Sequence, residues 1–388
     1  MNQITTFICR TRIYHGLGTA AMTGTEAARL GIKKAFLVTD AGIRKAGLLE
    51  PIEASLRDSG VPYQVFDSVP EDATTDIMSE GVKSVAQAGA DGIVAVGGGS
   101  PMCAGKGIAI SATNGISVRE MEGRNRYRVP PLPVICIPTT AGSGAEVSTN
   151  IAIHDSQTER IYGVGGDEIQ PLVALLDPLM LRTCPPRQMV YSGLDALSHC
   201  LETLWTTKAN PLSNSLAYEA IRLIMTNLPK AAFSDDIEAK SNQLLASAMA
   251  NLALTASSLG IVHAMTMDYH LRVPHGLSNG LLLPYAMEYN LPVCEDRFAQ
   301  MAIVLGEDPQ GLTRNELARL ALRRLKELYV TLGVPRKFEK RDIPRDRIPA
   351  MAEQTATNLF FAKDNLRKVT KEDAVRLFEA SLEGWELD

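Results

Sequence analysis

The sequence predicts an α/β N-terminal domain followed by an all-α C-terminal domain. Two observations lead to this prediction. Up to about Asp177, short β-branched runs alternate with amphipathic helical segments, which is typical of parallel strands joined by crossover helices. Beyond Asp177, strand-forming runs nearly disappear and long helical patterns follow one another to the end. We therefore expect one domain over residues 1–181 and a second over residues 182–388.

The individual strands and helices follow from the spacing of apolar residues along the chain. The first half contains, in order, a strand at KKAFLVTD, a helix at AGIRKAGLLEPIEASLRDSG, a strand at VPYQVFD, a helix through SEGVKSVAQAG, and strands at DGIVAVG and VICIP. The second half contains helical patterns at LSNSLAYEAIRLIMTNL, KSNQLLASAMANLALTASSLG, NELARLALRRLKELYVTLG and KEDAVRLFEASLEGW.

The composition predicts a globular protein, and small-molecule chemistry is the default expectation. The 388 residues exceed what one hydrophobic core usually serves. A net charge of −5 without blocks of like charge argues against nucleic acid or an anionic membrane surface as a partner. No run approaches the roughly 20 apolar residues of a membrane span, so we expect a cytoplasmic protein. The six scattered cysteines form no CxxC pair, which favours reduced thiols over disulfides.

A glycine-rich turn in the first half is a candidate phosphate site. In GIVAVGGGSPMCAGKG a buried strand leads into Gly97, Gly98, Gly99 and Ser100, and a helix begins near Pro101. Glycines allow a sharp turn, and the amides at the start of the helix attract an anion. Because a strand, a glycine turn and a helix often occur together for structural reasons alone, this turn is a weak signal by itself.

A second turn and one acidic residue strengthen the prediction of a nucleotide. Thr139, Thr140 and Ser143 follow the strand VICIP in a loop suited to ribose and phosphate oxygens. Asp40 ends the strand AFLVTD, where an acidic residue commonly binds ribose hydroxyls and repels a 2′-phosphate. The first domain is therefore predicted to be Rossmann-like and to bind NAD(H) rather than NADP(H). The alternatives are a connecting loop and a solvated aspartate.

Four residues of the second half form a candidate metal-ligand set. Asp195 and His199 lie four apart in a helical stretch, so both project from one face. His263 falls in ALTASSLGIVHAM, which predicts a buried helix, and His275 falls in a PHG turn. One carboxylate and three imidazoles suit Fe(II) or Zn(II) better than Ca²⁺ or Mg²⁺. Hydrogen-bonded core histidines are the alternative, but three of only six histidines fall in this set.

Several of these segments together resemble the iron-containing (group III) alcohol dehydrogenases. GGGSPMCAGK is similar to the GGGSxxDxxK turn of that family, and PTTAGSGAEVS to its PTTAGTGSEVT loop. GLDALSHCLE, GIVHAM and VPHGLSNG are similar to its two metal-ligand segments. The resemblance extends over essentially the whole chain with the motifs in the same order.

This resemblance implies a dehydroquinate synthase-like fold, with a dinucleotide and a metal in the cleft between two domains. It also implies a homodimer or larger homo-oligomer. The metal ligands that it implies are Asp195, His199, His263 and His275. The cofactor-binding positions that it implies are Gly97, Gly98, Gly99, Ser100, Thr139, Thr140 and Ser143. Asn150 falls at a position that faces the substrate in relatives.

The chain departs from the family pattern at three places. Cys103 replaces an acidic residue near the cofactor, whereas Lys106 is retained. Met267 stands where a second histidine often assists proton transfer, so His270 is a candidate for that catalytic task or else a surface histidine. Phe361 replaces a small residue or cysteine at the pocket wall, and two nearby segments carry basic side chains. These basic residues are Lys363 and Arg272.

The sequence thus predicts a metal-dependent, NAD(H)-linked alcohol dehydrogenase or aldehyde reductase for a short primary substrate. The basic residues favour a substrate with an anionic tail, such as sulfoacetaldehyde or phosphonoacetaldehyde. Lactaldehyde with 1,2-propanediol, and simple C2–C4 alcohols, are alternatives. Two other classes stay open at this point: a lyase related to dehydroquinate synthase, and a non-catalytic nucleotide-binding protein.

Overall fold

The computed structural model describes residues 4–155, 157–269, 271 and 273–387. The chain divides into two compact units. The first, the α/β unit, consists of Ile8–Pro185 and Asp235–Ala248. The second, the helical unit, consists of Pro186–Ser234, Met249–Asp388 and the residues that precede Ile8.

Two sheets organise the α/β unit. Its strands are β1 (Arg12–His15), β2 (Ala35–Val38), β3 (Tyr63–Phe66), β4 (Gly92–Gly97), β5 (Gly123–Arg124), β6 (Val134–Pro138), β7 (Asn150–Asp155), β8 (Arg160–Gly165) and β9 (Val173–Leu176). Six of them form a sheet in the order β1-β9-β6-β4-β2-β3, and every neighbouring pair in it is parallel. The predicted parallel strands are therefore confirmed.

Five α-helices lie in the segment Ile8–Pro185 of the α/β unit: α1 (Thr23–Arg29), α2 (Ala41–Lys45), α3 (Glu50–Asp58), α4 (Thr75–Ala88) and α5 (Gly99–Asn114). The central strands β2, β4, β6 and β9 are buried along their whole length, as expected for a sheet covered on both faces. In the register of β4 with β6, Gly97 pairs with Pro138. Both predicted cofactor turns therefore leave the sheet at the same edge, where the carboxyl ends of the strands meet.

The structure corrects two expectations in this unit. The helix predicted over AGIRKAGLLEPIEASLRDSG is two helices, because Gly47 adopts a left-handed conformation (φ 73°) between α2 and α3. A second, three-stranded sheet in the order β5-β8-β7 was not predicted. Its antiparallel pair joins Asn150–Asp155 to Arg160–Gly165, where the alternating burial typical of strands is visible in β7.

Eight more helices follow: α6 (Pro186–Leu204), α7 (Pro211–Phe233), α8 (Ile237–Thr255), α9 (Ile261–Met265), α10 (His275–Val304), α11 (Arg314–Leu332), α12 (Ile348–Ala356) and α13 (Lys371–Glu383). No strand occurs among the described residues after β9, as predicted. The single helix predicted around His263 is wrong, because α8 ends at Thr255 and α9 begins after Gly260. His275 is the first residue of α10 and not part of a turn.

Within the described ranges, no helix combines the length and the apolar character that a membrane crossing requires.

Candidate metal and cofactor sites

The predicted metal ligands come from three helices of the helical unit. Asp195 and His199 lie one turn apart on α6 and are both buried. His263 lies on the short helix α9 and is also buried. His275 opens α10, and 54% of its side chain is exposed. The set is therefore enclosed by protein on most sides and accessible next to His275.

Three of the four side chains place their ligand atoms close together. Asp195 Oδ1 lies 3.6 Å from His275 Nε2 and 3.9 Å from His263 Nε2. These three residues form a group whose ligand atoms all lie within 4.8 Å of one another. His199 is not part of that group, although its Nε2 lies 3.8 Å from Asp195 Oδ1 and its ring stacks on His263 with 4.9 Å between centroids.

Glu202 fixes the orientation of His263. Its carboxylate is completely buried and accepts hydrogen bonds from the backbone amides of Gly260 (3.1 Å), Val262 (2.7 Å) and His263 (3.2 Å). It also contacts His263 Nδ1. Because an ionised carboxylate only accepts hydrogen bonds, Nδ1 is the protonated nitrogen of the ring, and Nε2 keeps its lone pair toward Asp195.

Asn279 on α10 contacts the ligand atoms of Asp195, His263 and His275. Its Nδ2 donates to Asp195 Oδ1 (2.9 Å) and lies 3.2 Å from His263 Nε2 and 3.1 Å from His275 Nε2. Thr266 Oγ1 donates to Asn279 Oδ1 at 2.8 Å, which sets the orientation of the amide. An amide nitrogen only donates and carries two hydrogens, so Asp195 Oδ1 and the two imidazoles share them. For His263, protonation at Nδ1 leaves Nε2 as the acceptor, as a metal requires.

The electrostatics of the cluster favour an anionic carboxylate among histidines. Burial raises the pKa of Asp195, but the three histidines and the amide of Asn279 outweigh burial and leave that pKa below its usual value. Burial lowers the pKa of His263, but the carboxylates of Glu202 and Asp195 outweigh burial and raise it. A metal at His263 Nε2 therefore competes with a proton.

The donor set fits a divalent first-row metal. Bonds of about 2.1 Å in a tetrahedral site put the ligand atoms roughly 3.4 Å apart, and Asp195 Oδ1 lies 3.6–3.9 Å from the three imidazole nitrogens. The carboxylate that orients His263 is the usual companion of a metal-binding histidine. One oxygen and up to three nitrogens suit Fe(II) and Zn(II) alike.

The structure brings the two predicted cofactor turns into contact in the α/β unit. Thr139 N donates to Gly97 O at 2.9 Å. A Cβ atom placed on Gly98 would lie 3.2 Å from Thr140 Oγ1, and one placed on Gly99 would lie 3.2 Å from Ser143 Oγ. Larger side chains at Gly98 and Gly99 would therefore crowd the hydroxyls that are predicted to bind a nucleotide.

The three remaining predicted cofactor residues, Asp40, Ser100 and Cys103, each have a different local environment. Asp40 caps α2, with Oδ1 accepting from Ile43 N at 2.9 Å. Ser100 donates its hydroxyl to the backbone oxygen of Glu71. Cys103 is half-buried on α5 and packs against the core.

The candidate substrate residues are only partly placed. Asn150 is exposed at the start of β7. Phe361 is half-buried and meets the ring of His263 edge-on at 6.1 Å. Lys363 is exposed. His270 and Arg272 lie outside the described residues.

Two residues of the cluster were missed by the sequence analysis. Glu202 stands seven residues after Asp195, on the same stripe of α6. Asn279 stands four residues after His275, one turn into α10. Helical spacing from the predicted ligands would have identified both as neighbours of the cluster.

Glycine turns at the carboxyl edge of a parallel sheet and a separate cluster of one carboxylate with histidines are the features expected of a metal-dependent dehydrogenase. Comparison with known proteins agrees. A family model described as iron-containing alcohol dehydrogenase matches residues 10–178, and the model for the C-terminal part of that family matches residues 189–382. The chain belongs to the iron-containing alcohol dehydrogenase family.

Individual relatives cover nearly the whole chain. The chain is 30% identical over 370 residues to the NAD-dependent methanol dehydrogenase of Bacillus methanolicus, covering 95% of this chain and 97% of that protein. It is 32% identical over 372 residues to the 1,3-propanediol dehydrogenase of Citrobacter freundii, covering 94% and 95%. The alcohol dehydrogenase from Oenococcus oeni superposes with a TM-score of 0.93 at 32% identity, covering 97% of this chain and 100% of that one.

Family membership confirms the predicted fold and the predicted class of enzyme, an alcohol oxidoreductase. It argues against the lyase and the non-catalytic alternatives. The relatives differ in the alcohols for which they are named, so identity near 30% leaves the substrate to be argued from the site itself.

Proposed function

We propose that this protein is a metal-dependent, NAD(H)-linked enzyme that interconverts a short-chain primary alcohol and its aldehyde. The observation that carries the proposal is the cluster of Asp195, His263 and His275, in which Asp195 and His263 are buried and the exposed His275 leaves the cluster accessible. Methanol and 1,3-propanediol, for which two relatives are named, are short primary alcohols, and one of these relatives is named as NAD-dependent.

The helical unit is proposed to hold the metal, and the α/β unit is proposed to bind the dinucleotide. The residues that would hold the metal are Asp195, His199, His263 and His275. The residues that would contact the dinucleotide are Asp40, Gly97, Gly98, Gly99, Ser100, Cys103, Thr139, Thr140 and Ser143. When bound, the metal supplies Lewis-acid polarisation of the reacting oxygen, and the nicotinamide donates or accepts the hydride.

The protein itself positions the ligands and limits access of water. Glu202 and Asn279 fix the donor atoms before a metal binds, which reduces the reorganisation that binding requires. Asp195 stays anionic because its pKa is lowered. The apolar ring of Phe361 lies against His263 and restricts the space around the cluster. His270 and Asn150 are proposed to transfer a proton and to face the substrate, respectively.

The replacement His263→Ala tests this proposal. We expect NADH-dependent aldehyde reduction to be lost together with about one equivalent of bound zinc or iron, because Nε2 is a ligand atom. His15→Ala is the matched control, since His15 is exposed and contacts Ser241 on α8 in the α/β unit. Retained activity in a folded His263→Ala protein would contradict the proposal.

We further propose that the substrate carries an anionic tail, such as a sulfonate or phosphonate. Lys363 supports this idea, because it is exposed two residues after Phe361, and Phe361 contacts the ring of His263. None of the ion pairs found between described residues involves Lys363. A charge-assisted contact would orient an anionic aldehyde relative to the metal.

Kinetics with a charged and a neutral aldehyde separate the possibilities. We expect Lys363→Ala, alone or with Arg272→Ala, to reduce kcat/KM for sulfoacetaldehyde about tenfold and to leave kcat/KM for propanal unchanged. Lys368→Ala, another exposed lysine nearby in sequence, is the control. If these replacements change kcat/KM for neither sulfoacetaldehyde nor propanal, lactaldehyde or simple C2–C4 substrates are favoured instead.

A further inference from the structure

Arg124 is an exposed arginine to which the proposed function assigns no role, and the three-stranded sheet places it near Asn150. The strand register pairs Arg124 of β5 and Asn150 of β7 with the same residue of β8, Gly165. Residues in register on neighbouring strands project from the same face of a sheet. A Cβ atom placed on Gly165 would lie 3.7 Å from Arg124 Nη1 and 2.5 Å from Asn150 Oδ1. The guanidinium group and the side chain that is proposed to face the substrate therefore both extend over this glycine.

The next glycine, Gly166, leaves room for two more polar side chains. A Cβ atom placed there would lie 2.8 Å from Asn125 Oδ1 and would also collide with the hydroxyl of Tyr127. Asn125 has a left-handed backbone (φ 56°), which asparagine adopts more readily than most residues. Its backbone N–H donates to Gly165 O at 2.8 Å, which fixes β5 against β8. Side chains at Gly165 and Gly166 would thus displace a set of polar groups that the two glycines accommodate.

The loop that begins at Arg124 is basic. Residues 124–128 read RNRYR and contain three arginines and no acidic residue. Arg126 and Arg128 are exposed, and none of the ion pairs found between described residues involves either of them. This segment therefore carries an excess of positive charge next to the side chains over Gly165.

Asp167 occupies only part of the Arg124 guanidinium group. Nη2 of Arg124 donates to Asp167 Oδ1, whereas Nη1 has no hydrogen-bond acceptor among the described residues. Exposed pairs of an arginine and an aspartate are common and contribute little to stability. What distinguishes this pair is that Nη1 lies over Gly165, on the side of Asn150. Nη1 can therefore bind a second anion while Nη2 keeps its carboxylate.

We propose that Arg124 is a specificity-determining residue that binds the anionic tail of the substrate beside Asn150. The inference rests on the proposed function, in which Asn150 faces the substrate. A guanidinium group forms charge-assisted hydrogen bonds with sulfonate or phosphonate oxygens. Arg126 and Arg128 add positive potential that attracts the anion. Arg124 contacts only the tail and takes no part in hydride or proton transfer.

The test compares kcat/KM for sulfoacetaldehyde with kcat/KM for propanal in the full-length, metal-loaded protein. We expect Arg124→Met to lower the ratio of these two values about tenfold, mainly through the KM for sulfoacetaldehyde. Arg124→Lys should retain part of the ratio, because it keeps the charge and loses the planar fork. Arg160→Met is the matched control, since Arg160 is an exposed arginine of β8 that pairs with Glu122. A ratio within about twofold of the wild type in a folded Arg124→Met protein would overturn the inference.

Asp167→Asn provides a second variant with the opposite expected sign. It removes the carboxylate that neutralises Arg124, so the ratio should rise about two- to fivefold. The double variant with Arg124→Met should show no such gain, because the gain depends on the guanidinium group. A gain that persists without Arg124, or a fall in the ratio for Asp167→Asn alone, overturns the inference. If the wild-type protein reduces neither aldehyde, the proposed function fails and the inference fails with it; if it reduces propanal and the Arg124 variants keep the wild-type ratio, only the inference fails.

Discussion

Glu202 is expected to control metal affinity without touching the metal. The replacement Glu202→Gln keeps the shape of the side chain and one carbonyl oxygen, which can still accept from Gly260 and Val262. The new amide group, however, faces the backbone N–H and the Nδ1–H of His263, so donors oppose donors. The ring of His263 is then driven toward the tautomer that carries its proton on Nε2.

The magnitude follows from the contacts that are lost. A carboxylate partner of a metal-binding histidine typically contributes 10- to 100-fold in metal affinity, so we expect a loss of about 1.4–2.7 kcal/mol in zinc binding. The variant should also lower the melting temperature of the metal-free protein, because two buried hydrogen bonds to a charged acceptor disappear.

Zinc binding is measured by competition with a chromogenic chelator, and folding of the metal-free protein is followed by circular dichroism. Glu219→Gln is the matched control, because Glu219 is a half-buried glutamate on α7 that pairs only with Arg222 among the contacts described. A Kd for zinc within about twofold of the wild type in a folded Glu202→Gln protein would refute the role assigned to this carboxylate.

Three further predictions concern pH, packing and cofactor choice. Burial raises the pKa of Glu146 to about 7 from 4.5, so the folded protein binds more protons than the unfolded protein between these two pH values. The free energy of unfolding should therefore fall as pH rises from 4.5 to 7. The melting temperature of Glu146→Gln should decline less over the same pH range. A Cβ atom on Gly276 would lie 2.1 Å from the backbone oxygen of Tyr191, so Gly276→Ala should push α10 away from α6. We expect this replacement to lower the free energy of unfolding by about 1–3 kcal/mol and to weaken zinc binding. Gly306→Ala, which lies outside the cluster, should leave zinc binding unchanged. Asp40→Asn keeps the cap on α2 but removes the charge, so the ratio of kcat/KM for NADH to that for NADPH should fall about tenfold; an unchanged ratio would remove Asp40 from the ribose site.

Local patterns in the sequence were sufficient for much of the site. The alternation of strands and helices predicted the parallel sheet, and the helical spacing of Asp195 and His199 placed both on one face of α6. Each of the two cofactor turns was expected to follow a buried strand, and the structure brings Gly98 and Gly99 against hydroxyls of the second turn. These features depend on residues close together in sequence or on a regular topology.

Features that depend on distant residues were not predictable in this way. His275 was expected in a turn because proline and glycine flank it, yet Pro274 precedes the first turn of α10, and Gly276 allows that turn to approach α6 closely. The backbone oxygens of Ala145, Ser148 and Asn150 accept hydrogen bonds from Lys106 Nζ, although these residues lie about 40 positions later in the chain. The tautomer of His263 depends on Glu202, which lies 61 residues away in sequence.

Metal-dependent turnover can be measured as the oxidation of NADH by the wild-type protein, stripped of metal and then reloaded with Fe(II) or Zn(II), with a panel of short aldehydes. We expect no turnover without metal and restored turnover after reloading, with the anionic aldehydes giving the highest kcat/KM. NADH binding without turnover by either metal form with any aldehyde would contradict the claim that the cluster of Asp195, His199, His263 and His275 supports alcohol and aldehyde chemistry.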